Sequence, residues 1–139
     1  MKKVLTIALA ALMLCMVALP VCAALPEEIT PYYNNVRRVS GNLSISDDGV
    51  ATISITYIGY ASCTTGATVT SKLQKSTSSG WQDVSGASWT DNVSGSNGVI
   101  NHTHQLSSTG TYRLVFEVVV SGTCGEADVI SGTSEAQYS

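Results

Sequence analysis

At 139 residues, with a formal charge of −3 and only 12% charged residues, the chain has room for one hydrophobic core and few ionic contacts. Beyond the first three residues the basic side chains are Arg37, Arg38, Lys72, Lys75 and Arg113. They are too scattered to track a phosphate backbone or an anionic bilayer, so neither nucleic acid nor stable membrane association is expected.

The start reads as a signal peptide over 1–23. Met1, Lys2 and Lys3 supply the positive end, and an apolar run from Val4 to Leu19 follows. That run is too short and wrongly flanked for a transmembrane helix. Pro20 breaks it, and Val21-Cys22-Ala23 places a small residue before Ala24, as signal peptidase requires. Cleavage there removes Lys2, Lys3, Cys15 and Cys22, leaving 116 residues (139 less 23) with five basic and ten acidic side chains. The alternatives are an uncleaved anchor and a lipid-modified Cys22, although Val21 is bulky where a lipoprotein signal takes a small residue. The expected product is secreted and extracellular.

Residues 24–35 hold Pro26 and Pro31 without a sustained period, and read as an extended N-terminal arm. After Asn35 the pattern alternates between strand and turn. A first strand near 36–46 sets Val39, Leu43 and Ile45 against Ser40, Asn42 and Ser44. Asp47-Asp48-Gly49 signals a tight turn. A second strand, near 50–59, buries Ile53, Ile55 and Tyr57. A loop through Cys63 leads to a third strand near 67–75, with Val69, Ser71 and Leu73 on one side. Two short strands are expected at 81–84 and 87–90, split by Ser85-Gly86, before a Gly/Ser/Asn loop over 92–98. The next strand, near 99–106, puts Ile100, His102, His104 and Leu106 on one side. The strongest alternation is Tyr112, Leu114, Phe116, Val118 and Val120 over 111–120, and a last strand spans 126–133. Seven or eight short strands at this spacing predict an all-β, two-sheet antiparallel sandwich, as one domain over 36–139, rather than a barrel.

Leu106-Ser-Ser-Thr-Gly110-Thr-Tyr112-Arg-Leu114 resembles the approach to the sixth strand of immunoglobulin-like domains, where a Tyr after a Gly-containing turn anchors the corner. Leu114 stands where an antibody-type domain places its second inter-sheet Cys, so the resemblance implies the architecture and not a true immunoglobulin domain. A second resemblance is carried by Asn42–Gly49, Leu73–Val84 and Gly110–Leu114, which are similar to segments of small secreted proteins of Gram-positive bacteria without assigned activity. It implies an exported bacterial sandwich and assigns no site.

Cys63 and Cys124 are the pair left after cleavage, and an even pair in an exported domain reads as a disulfide. In an immunoglobulin-like sandwich their two loops share one end of the molecule. Closing 61 positions would stabilise the fold by about 4 kcal/mol in the chain-entropy estimate.

His102 and His104 lie at i and i+2, the spacing that aims two imidazoles at one metal from a strand. No third ligand stands at a recognisable spacing, with Asp91 and Glu117 brought close only by the fold, so the pair reads as a half-exposed sheet face. No Gly-x-Ser-x-Gly and no triad context accompanies the many serines, and Asp47-Asp48 sit on a turn as ordinary solvated acids. Neither catalysis nor a metal or other cofactor is expected. Asn42, Asn92 and Asn101 begin N-glycosylation triplets, which arise by chance in a Ser/Thr-rich chain. Trp81 and Trp89 are the candidate ligand contacts, since exposed indoles beside hydroxyl and amide groups suit sugars or protein surfaces; the competing role is to fill the core.

These readings favour a secreted binding module for a protein or glycan surface. A self-associating structural or matrix protein is the alternative, and a small extracellular hydrolase comes third. The mature chain is expected to begin at Ala24, and mass spectrometry of the secreted protein checks it. A lipid on Cys22 or a full-length membrane-held chain would contradict the cleavage.

Overall fold

The computed structural model describes residues 32–139; the signal peptide and residues 24–31 of the arm lie outside the described residues. Seven strands follow in order: β1 (Val36–Ile45), β2 (Val50–Gly59), β3 (Thr64–Thr77), β4 (Gly80–Ser94), β5 (Asn97–Gln105), β6 (Gly110–Gly122) and β7 (Asp128–Tyr138). They form two antiparallel sheets, β1-β2-β5 and β4-β3-β6-β7. Because β2 pairs with β5 and β3 with β6, the chain crosses between sheets in the manner of an immunoglobulin-like sandwich, with β4 on the larger sheet beside β3.

Alternation decides the core. Ile53, Ile55 and Tyr57 of β2 pack inward with Val69 and Leu73 of β3 and with Leu114, Val118 and Val120 of β6. Tyr112 turns the corner, its hydroxyl donating to the Ser108 carbonyl at 2.6 Å, and Leu114 is fully buried two residues later. Tyr57 is also buried; its hydroxyl donates to the Gly95 carbonyl at 2.9 Å, and burial raises the phenol above its ordinary pKa. Ser71 lies between Val69 and Leu73 on the inward face of β3, and its buried hydroxyl has no hydrogen-bond partner among the described residues.

The two short strands expected at 81–84 and 87–90 are one continuous strand. Gln74 pairs with Asp83 and Lys72 with Ser88, so Val84–Ala87 arch opposite Leu73 as a bulge. Gly86 takes a φ of +75° there, and Ala87 returns to the core fully buried. The loop expected over 92–98 is likewise strand on both sides of a tight Gly95-Ser96 turn. Asp91, inward just before it, breaks the apolar alternation of Ala87, Trp89 and Val93, and the outward Asn92 and Ser94 are polar, which hid the ladder. β3 and β7 also run further than their apolar residues indicate, because β6 supplies a long ladder to both.

Phe116 is clasped between glycines. Gly132 is its cross-strand partner on β7, where a Cβ would lie 2.5 Å from the ring Cζ, and a Cβ on Gly41 of β1 would enter the same ring. Missing side chains at these two positions make the space the benzyl group fills. Gly41→Ala should destabilise by about 1–3 kcal/mol through overpacking. Adding Phe116→Leu should recover part of that loss in urea denaturation, and additive losses would contradict the coupling.

Candidate functional site: a tyrosine-lined cleft at the disulfide end

The connection between β2 and β3 is a single turn. The Cys63 and Thr64 N–H groups donate to the Tyr60 carbonyl at 3.0 and 2.8 Å, and the Tyr60 N–H donates to the Thr64 hydroxyl at 2.8 Å. Cys63 is disulfide-bonded to Cys124, which lies between β6 and β7, with Cα atoms 5.5 Å apart. The predicted pair is therefore joined, at the end of the sandwich where both loops emerge. The Thr123 N–H adds a bond to the Cys63 carbonyl at 2.9 Å.

A buried carboxylate ties the start of the domain to this end. Asp128 accepts the N–H of Asn34 on Oδ1 at 2.9 Å, and those of Asn35 and Val36 on Oδ2 at 2.6 and 3.0 Å. Asn35, fully buried, donates from Nδ2 to the Glu126 carbonyl at 2.7 Å and accepts the Cys124 N–H on Oδ1 at 3.3 Å. Its own carbonyl accepts from the Thr64 hydroxyl and the Tyr60 N–H. Gly122 leaves the needed room, since a Cβ there would meet Asn35 Oδ1 and lie 2.6 Å from the Cys63 carbonyl. Residues 34–36 and both loops are thus one hydrogen-bonded unit.

Beside this unit opens a cleft of about 420 Å³ lined by Tyr32, Tyr33, Asn34, Tyr60, Ser62 and the disulfide. Tyr32 is 91% and Tyr60 39% exposed. The lining offers aromatic faces, phenol and serine hydroxyls and a carboxamide, with no Asp, Glu, His, Lys or Arg. Such a wall stacks on flat or ring-shaped groups and hydrogen-bonds neutral polar ones. Residues 32–35 read as arm and Tyr60 as loop in the sequence. The legible signal was three tyrosines close to Pro31 and Cys63.

The sequence-predicted candidates lie elsewhere. Trp81, half-buried on the outer face of the larger sheet, carries the Arg113 guanidinium over its ring at 4.3 Å. Arg113 Nε donates to Gln74 at 2.8 Å, and Gln74 and Lys72 donate to Asp83 at 2.6 and 3.0 Å. Those bonds, Gln74 first and Lys72 second, hold the Asp83 carboxyl below its ordinary pKa. A smaller depression of about 220 Å³ near Lys72, Val115 and Glu117 lies on this sheet.

Trp89 points inward from β4 and packs against the core. It stacks on His102 with centroids 4.8 Å apart and meets His104 edge-on at 6.3 Å. The fold also brings Asp91 to His102, whose Nε2 donates to the carboxylate at 2.7 Å. Glu117 stays on the outer face of β6, paired with Thr70 and Ser131. Among the described residues no group of three or more His, Cys, Asp or Glu is placed to hold a metal ion.

No protein-family model matches the sequence, and no curated protein matches it. Among solved structures, the CARDB domain of a Pyrococcus furiosus protein, in complex with di-metal ions, aligns at 12% identity. The alignment covers 79% of this chain and 96% of that one, with a TM-score of 0.41.

Asp128→Ala would strand three backbone donors and should destabilise by about 3 kcal/mol, with Asp128→Asn intermediate. Guanidinium unfolding measures this, and amide exchange at residues 34–36 should quicken first. An unchanged midpoint would contradict the assignment.

Proposed function

We propose that the mature chain is an exported, non-catalytic recognition module that takes a neutral, hydroxyl-rich ligand, a glycan segment before a protein surface, in the tyrosine-lined cleft. The observation that carries this reading is a charge-free aromatic wall whose backbone is held at Asn34 and at Tyr60 before any ligand arrives. The Cys63–Cys124 bridge and the Asp128 and Asn35 contacts fix both sides of the cleft. Fixed walls avoid the ordering cost that a mobile loop would meet on binding. Tyrosine is the side chain for the task, giving a large rigid surface with a polar tip and few torsions to freeze.

The expected export and the resemblance to small secreted Gram-positive proteins support an extracellular setting, where a disulfide persists. Among the described residues no helix is long and apolar enough to cross a membrane. Glycan-array screening of the mature chain, followed by titration of the best ligand, tests the proposal. Tyr60→Ala and Tyr32→Ala should each weaken binding by about tenfold or more, the scale of an aromatic hot spot, without lowering the unfolding midpoint. Full affinity in both variants, or no retained glycan, would overturn it.

A further inference from the structure

Four strands are sheet edges: β1 and β5 on the smaller sheet, β4 and β7 on the larger. Three carry features that discourage pairing with another chain. β1 has a register shift between Val36 and Arg38 and two adjacent arginines, Arg37 and Arg38. β4 has the Val84–Ala87 bulge, with Asp83 and Asp91 on the same strand. β7 carries Glu135 and is tied to β1, where the Leu43 N–H donates to the Ser134 hydroxyl at 3.1 Å.

β5 has none of these. It pairs with β2 through nine consecutive register partners without a shift, and holds no proline, Lys, Arg, Asp or Glu. Its outward side chains are Asn97, Val99, Asn101, Thr103 and Gln105, all exposed, with Val99 61% exposed. The inward His102 is already engaged within its own chain by Asp91 and Trp89.

The order of residues along this edge identifies the occupant. About Asn101 the outward face of the strand is a chemical palindrome: Asn97 mirrors Gln105, and Val99 mirrors its near-isostere Thr103. The inward residues, Gly98, Ile100, His102 and His104, face the chain's own second sheet and take no part in this symmetry. We infer that β5 pairs antiparallel with β5 of a second copy about a two-fold axis at Asn101, joining the two smaller sheets into one of six strands. Each outward pair would then match amide with amide or β-branched with β-branched, and no like charges would meet. The joined sheet ends in two β1 edges, each bulged and arginine-bearing, so assembly closes at two copies and does not extend into fibres. This inference concerns a surface separate from the tyrosine cleft and does not depend on ligand binding there.

Sedimentation equilibrium of the purified mature chain over a concentration series should approach the mass of two copies. Val99→Lys with Thr103→Lys should return it to one copy with an unchanged unfolding midpoint. Asn101→Cys should give a covalent dimer on mild oxidation much faster than Ser40→Cys on β1; this arm adds no charge and reads the same register if the lysine variant folds poorly. A single-copy mass for the unaltered chain at every concentration would overturn the pairing. So would a two-copy mass that persists in the lysine variant, or equal cross-linking of the two cysteine variants.

Discussion

The arrangement of the loop end rests on one buried carboxylate. Asp128 opens the last strand, yet its two oxygens collect backbone N–H groups from Asn34, Asn35 and Val36, more than ninety positions earlier. A backbone entering a sandwich at its edge brings donors that no ladder satisfies, and burying them unpaired would cost more than the contact yields. Asp128 removes that cost and sets where β1 begins. Asn35 carries the constraint onward to Glu126, Cys124, Tyr60 and Thr64, so the disulfide closes over a geometry already held by hydrogen bonds.

Rigidity at that end contrasts with how the rest of the core is filled. A single phenylalanine and the buried Tyr57 occupy room made by glycines on facing or paired strands. Gly41 and Gly132 receive Phe116, and Gly98 lies against Tyr57, where a Cβ would come within 2.5 Å of the ring. Small residues opposite large ones let two sheets of Ser- and Thr-rich strands reach interior packing without many bulky side chains. The open side between β4 and β5 is closed differently, by Trp89 lying on His102 and by Asp91 holding the imidazole. There the two histidines and one tryptophan serve packing, so residues with a chemical look in the sequence act as a plug between sheets.

Among the described residues, three surfaces differ in character. The cleft beside the disulfide is aromatic and uncharged, while the outer face of the larger sheet is crossed by the chain of contacts from Trp81 to Lys72. The β5 edge, uncharged and regular, is distinct from both. The proposed recognition and the proposed self-pairing would be separable on this scaffold because they use its end and its side.

The sequence by itself determined what depends on neighbours a few residues apart. Alternation in 50–59 and 111–120 placed Ile53, Ile55, Tyr57, Leu114 and Val118 in the core, and Gly110-Thr-Tyr112 marked the corner whose hydroxyl reaches Ser108. The disulfide was legible too, because only two cysteines follow Ala24 and the sandwich places their loops at one end. Tertiary structure alone decided the continuity of β4, since a bulge opposite Leu73 repairs a pattern that reads as two strands. It alone brought Asp91 to His102, Asp128 to Asn35, and Tyr60 to Tyr32 and Tyr33. Period-two alternation tells which way a side chain points from its own strand. What it meets there is set by strand order and register across loops, which no local pattern carries.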